Sequence, residues 1–302
     1  MNDEPDRQLD YQLCTLPGSR LKFRGPIPNL RRPFVAVLGG NETFGKYVGD
    51  PFPNLLSDWC GLPVANLAVP QAGLTLFSEE RLLLDLASGA EVTVLQVLGA
   101  QNMSNRLYSV HARRNDRFIG ASSALKEMFP DVDFAEINFT GHLISTLKDT
   151  SEDAFGVLVN ELKWAWVQRM RRILSLIESK VVLVWITDQG NQTVADQHEQ
   201  SEPHFITRPM IDDLGDAVDR LVEVPLNGVS TLNDKIYPAR EKEAALTLPG
   251  QQDHSCIAEA LAPIVTELAR APGPRVPQAR GIDQSSFSIS SGTAVNKSAT
   301  RP

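Results

Sequence analysis

The chain has 302 residues, 42% of them apolar and 22% charged, and its 29 Lys and Arg against 37 Asp and Glu give a formal net charge of −8. That length allows one large core or two small ones, and the acidic balance excludes the broad basic footprint of a nucleic-acid-binding protein. No apolar run reaches the roughly 18–20 residues of a membrane-spanning helix.

The polar start MNDEPDRQLDYQ has the pattern of neither a secretory signal nor a transit peptide. Cys14, Cys60 and Cys256 are distant and odd in number, which suits a reduced, cytoplasmic setting better than a disulfide framework. Residues 1–33 hold Pro17, Pro26, Pro28 and Pro33 without a sustained period, and read as an arm packed on a domain. The domain itself is expected over 34–270. Short apolar runs at 34–38, 64–69, 92–98 and 181–186 end at Gly39, Pro70, Gly99 and Thr187, and read as buried strands. A weaker fifth run at 221–226 is demoted by Pro225.

Helices are expected between these runs. One spans 78–88, with Ser78 as a possible cap and Glu79 and Glu80 in its first turn. The strongest spans 151–179, where apolar residues from Phe155 to Ile177 recur close to the 3.6 period and Trp164 and Trp166 read as packing residues. Others are expected at 207–220 and 253–270. Continuous apolar strands alternating with helices predict a parallel sheet covered on both faces. From 271 to 302 the chain is rich in Pro, Ser, Gly and Arg, and reads as a disordered tail.

In such a sheet, ligands bind beyond the carboxyl ends of the strands. The first of those loops is Gly39-Gly40-Asn41-Glu42-Thr43, which is neither a dinucleotide fingerprint nor a P-loop. It is a site for a ligand or simply a tight turn. The third, Gly99-Ala100-Gln101-Asn102-Met103-Ser104-Asn105, offers amides suited to an oxyanion or to sugar hydroxyls, or to ordinary loop capping. Residues 106–117, RLYSVHARRNDR, form a basic island in which Arg106, His111, Arg113 and Arg114 are candidate anion ligands. The plain alternative is a solvated basic face. His198 and His204 are not at helical ligand spacing, so no metal site is assigned. No cofactor is implied.

The order of these blocks resembles the SGNH (GDSL-like) hydrolase superfamily, with a flavodoxin-like three-layer α/β/α sandwich and a five-stranded parallel sheet. Residues 38–45 align with its G-D-S-x-T-x-G block, Asn66-Leu67-Ala68 with its N-L-G block, Gly99-Ala100-Gln101-Asn102 with its G-x-N-D block, and Ile257-Ala258-Glu259-Ala260-Leu261 with its last helix. The superfamily's serine falls on Asn41, and no D-x-x-H precedes the last helix. A closer resemblance, carried by LGAQNMSNRLYSVHARRNDRF (98–118), is to an uncharacterised alphaproteobacterial family within this fold. If the site is catalytic, the superfamily resemblance implies that the Ala68 N–H and the Gln101 or Asn102 amide stabilise an anion, with Glu42 or His254 as base, while a transfer reaction on the arginines would use His111 or Glu42. Thr43 is the nearest hydroxyl.

Three functional readings follow. The first is a degenerate site that binds a carbohydrate or an anion without ester hydrolysis. The second is sulfuryl or phosphoryl transfer on the arginine cluster. The third is an esterase or acyltransferase with an atypical site. A small-molecule or carbohydrate ligand is the expected partner, and the oligomeric state stays open.

Overall fold

The computed structural model describes residues 8–188, 203–226 and 231–271. The expected disordered tail therefore lies outside the described residues, apart from Ala271. Five parallel strands form the main sheet: β1 (Val35–Leu38), β2 (Val64–Asn66), β3 (Val92–Gln96), β6 (Lys180–Asp188) and β7 (Arg220–Leu226). Their spatial order is β2-β1-β3-β6-β7, which counts as 2-1-3-4-5 within the sheet, the flavodoxin-like order. β7 is an edge strand, so Pro225 is tolerated there despite its missing N–H.

Each strand divides its apolar residues between two cores, because side chains alternate across a sheet. Val35 and Val37 of β1, Val92 and Val94 of β3, and Val182 and Val184 of β6 face one core with α2 (Phe52–Cys60) and the last helix, α10 (Gln251–Arg270). Ala36, Leu38, Leu95, Val181 and Leu183 face the other, with α3 (Leu74–Glu79), α4 (Arg81–Ser88) and α7 (Glu152–Leu174). The result is a three-layer α/β/α sandwich.

The long helix begins where its cap says it should: the Ser151 side chain accepts from the Ala154 N–H. Buried Trp166 anchors it by donating to the Leu98 carbonyl at 2.8 Å. Trp164, two residues away, is 53% exposed and is not a core residue, because it falls on the opposite helix face. The helix expected at 78–88 is two helices, divided at Glu80, whose backbone leaves the helical region. The one expected at 207–220 is only α8 (Arg208–Asp212), with a 3-10 turn following at the left-handed Gly215.

Between β3 and α7 the sequence folds in a way its pattern did not suggest. A separate antiparallel hairpin, β4 (Tyr108–His111) and β5 (Arg114–Ala121), precedes α5 (Ser123–Met128) and α6 (Thr140–Thr150). A further short helix, α9 (Lys242–Thr247), precedes α10.

Residues 8–33 pack on the sheet domain. Cys14 and Phe23 exchange backbone hydrogen bonds at 3.0 and 2.9 Å, and Leu21 and Phe23 enter the core. Arg24 is buried and donates to four carbonyls at the end of the short helix α1 (Asn41–Phe44) and in the connection after it: Phe44 and Gly45 accept from Nη1, Val48 and Gly49 from Nη2. Among the described residues no helix is long and apolar enough to cross a membrane.

Candidate functional site

The β1 strand ends at Gly39-Gly40, and the chain turns at once into α1. A side chain on Gly39 would collide with Thr43 Oγ1 and Gln96 Oε1, so only glycine lets these two groups meet beneath the turn. Gln96, at the end of β3, is the hub. Its Oε1 accepts from the Gly40 N–H at 2.9 Å and from Thr43 Oγ1 at 2.6 Å, while its Nε2 donates to Glu42 Oε2 at 2.8 Å. One buried amide thus fixes the turn, the hydroxyl and the carboxylate together. Sequence reasoning missed Gln96, although a polar residue closing the apolar run VTVLQ was the available signal.

Thr43 is fully buried and committed to Gln96, which removes it as a nucleophile. Asn41 Oδ1 accepts from the Gln71 N–H at 3.1 Å, across to the loop after β2. Gln71 in turn accepts from the Asn115 N–H at 3.0 Å, and Asn115 Oδ1 accepts from Gly73 and Leu76. The hairpin therefore clamps the loop that holds Asn41. Gly40 packs beside Leu98 and the Ala72 carbonyl, which brings the β1, β2 and β3 loops to one place.

The other candidates divide. Gln101 is buried with its side chain folded over Gly99, and its Oε1 has no donor there. Asn102 accepts from Thr140 Oγ1 at 2.5 Å, and its backbone carbonyl packs against Gly73. The Ala68 N–H is already donated to Asn66 Oδ1 at 3.2 Å, so it is not an oxyanion donor. Asn105 is a turn former: its Oδ1 accepts from Leu107 and Tyr108. Arg106 turns away to α7, where its Nε donates to Glu161 at 2.9 and 3.0 Å, because the nearly buried carboxylate there needs a cation. His111 Nδ1 accepts from the Arg113 and Arg114 N–H groups and shapes the hairpin tip, where both arginine side chains are exposed. Arg114 lies 3.5 Å from Asp116. The basic island is a hairpin surface, and its arginines do not converge as a clamp.

His254 is not a base at this site. It is buried in α10, accepts from the Phe52 N–H through Nδ1 at 3.1 Å and stacks on Phe52. Desolvation, with Arg24 and Lys235 nearby, pushes its pKa down to about 3. The folded protein therefore holds it neutral while the unfolded chain charges near pH 6.5. Its stabilising contribution is complete above that pH and is lost as the pH falls toward 3, at about 1.4 kcal/mol per pH unit. Denaturant titrations at pH 7, 5.5 and 4.5 should show this slope, and His254→Gln should flatten it; an unchanged slope would assign the acid loss to other groups. His198 lies outside the described residues. The His204 carbonyl accepts from the Ala100 N–H at 3.0 Å. Among the described residues no three His, Cys, Asp or Glu stand together as a metal-holding group.

The family model described as "Domain of unknown function (DUF6473)" matches residues 1–269, from the arm through α10. The chain belongs to the DUF6473 family. Among curated proteins none matches it. Among solved structures it is similar to the lipase Lip_vut3 from a goat rumen metagenome, at 12% identity, covering 76% of this chain and 96% of that one, with a TM-score of 0.37. The DUF6473 match takes in the arm that carries Arg24 as well as every strand of the sheet.

Proposed function

We propose that this DUF6473 protein binds a neutral, hydroxyl-bearing small molecule of the carbohydrate class at the carboxyl edge of β1 and β3, without a covalent ester-hydrolysis step. The observation that carries this reading is the fate of the nucleophile position. Asn41 stands where the SGNH resemblance expects serine, its Oδ1 is held by Gln71, and the neighbouring hydroxyl of Thr43 is buried against Gln96. What remains is acceptor chemistry, the Glu42 carboxylate oriented by Gln96. Sugar hydroxyls supply neutral donors to such a group, whereas sulfate brings only acceptors and phosphate brings like charge against the carboxylate. The scattered arginines favour the same choice over anion transfer.

The test is calorimetric titration with a panel of neutral oligosaccharides, and with inorganic sulfate and phosphate as the opposed class. Binding of a neutral sugar is expected, and Glu42→Gln should weaken it roughly tenfold or more, the effect of losing one charge-assisted hydrogen bond. Binding of the anions alone would overturn the reading. So would covalent labelling of the native chain by a fluorophosphonate, which demands an activated serine.

A further inference from the structure

The middle of the outer face of α7, from Gly156 to Gln168, lacks the free charges that usually coat a solvent-facing helix. Gly156, Val157, Asn160, Trp164 and Gln168 are exposed along it, with Val157 at 57% and Trp164 at 53%. Beside them a groove of about 480 Å³ runs between α7 and the start of β4, walled by Leu107, Ala124 and Val157. Its single cation is already neutralised, since Arg106 is bound to Glu161. The same guanidinium lies 4.8 Å from the centre of the Trp164 ring and backs one side of the indole. An exposed tryptophan backed by a paired guanidinium beside an apolar groove has the form of an interface anchor.

We propose that this face is a self-complementary dimer interface, in which two copies of α7 pack antiparallel and each Trp164 enters the groove beside the other copy's Val157. The spacing is what selects a second copy as the occupant. Val157 and Trp164 are seven residues apart, about 10.5 Å along the helix, and Asn160 lies near the midpoint. A two-fold axis there pairs Trp164 with Val157 twice and sets Asn160 against its own copy, where an uncharged amide both donates and accepts. Asp153 lies on this face toward the helix start and Arg171, shared with Asp213, toward its end, so the antiparallel order brings each acid to within about one turn of the other copy's base. Two chains of net charge −8 repel in general. The uncharged middle of this strip, between Gly156 and Gln168, is where they can meet.

The experiment is sedimentation equilibrium of the full chain from about 1 to 100 μM, a range that brackets micromolar association. The expected mass is twice the 33.2 kDa of one chain. Trp164→Ala should raise the dissociation constant by roughly thirtyfold or more, as removal of an interface anchor does, with an unchanged circular-dichroism spectrum. In a Cys256→Ser background, Asn160→Cys should cross-link to its own copy under mild oxidation. A monomer throughout the range would overturn the proposal. So would a dimer that withstands both Trp164→Ala and Val157→Arg, and so would a chain that gains mass only with a different protein on this face.

Discussion

Arg24→Ala is expected to be the most destabilising single change in the N-terminal segment, lowering the thermal midpoint by roughly 8–15 °C. The buried guanidinium donates to the carbonyls of Phe44, Gly45, Val48 and Gly49, and those groups sit in a connection that no strand or long helix supports. Removing it leaves buried acceptors unpaired, at about 1–3 kcal/mol each before relaxation, although the Gly45 carbonyl keeps the Val48 N–H. Some refill with water, so a net loss of about 4 kcal/mol is reasonable, and a domain of this size moves about 2–4 °C per kcal/mol. Arg24→Lys should recover only part of this, since one ammonium cannot reach four carbonyls spread over residues 44–49. Calorimetric scans of the two variants beside the native chain decide it. A shift below about 2 °C for Arg24→Ala would mean that Tyr11, whose hydroxyl accepts from the Tyr47 N–H and whose ring packs on Phe44, holds the connection unaided.

The consequence reaches the candidate site. The carbonyls held by Arg24 follow directly on α1, the turn that presents Asn41 and Glu42. A melted connection should therefore weaken ligand binding as well as folding. The segment is part of the machinery that positions the first loop, and the family match from residue 1 is consistent with a unit that includes it.

How much of this was legible in the sequence depends on the kind of signal. The strands were, because buried parallel strands such as Val35–Leu38 and Val92–Gln96 are continuous apolar runs with glycine or proline close behind. The strand order then places the first and third loops side by side. The hairpin was not legible. Its strands are half exposed and charged, and its burial rests on scattered residues, Tyr108, Val110, Asn115 and Phe118, with irregular pairing between them. Local sequence also misjudged direction. Arg106 follows the amide-rich loop in the chain, yet its side chain leaves for Glu161, a partner 55 residues away that only the packing of α7 supplies. Gln96 is the converse case. It stands inside an apolar run and pattern reading treats it as strand filler, but at the carboxyl end of β3 it becomes the group on which the first loop is built.

Asn115 gives the second large expected effect, and it ties the hairpin to the site. The side chain is fully buried and uses all of its amide: Oδ1 accepts from Gly73 at 2.7 Å and Leu76 at 3.0 Å, while Nδ2 donates to the carbonyls of His111 and Ala112 at 2.9 and 3.3 Å. Asn115→Ala removes both halves and should cost about 3 kcal/mol, by the price of unpaired buried groups. Asn115→Asp separates them. The carboxylate still accepts from the two N–H groups, but its second oxygen now opposes two carbonyl oxygens in a dry site, so at pH 7 a loss of similar size is expected. Protonation restores a donor. The deficit of Asn115→Asp relative to the native chain should therefore shrink as the pH falls through the carboxylate range, while that of Asn115→Ala should not. Hydrogen exchange at Gly73 and Leu76 gives a local reading: protection should drop in the alanine variant and persist in the aspartate one. If both variants unfold within about 0.5 kcal/mol of the native chain, the hairpin does not clamp the loop. If they unfold early yet bind a sugar as the native chain does, then Gln71 holds Asn41 without the hairpin's help, and the site is smaller than the hydrogen-bond chain from Asn115 to Asn41 implies.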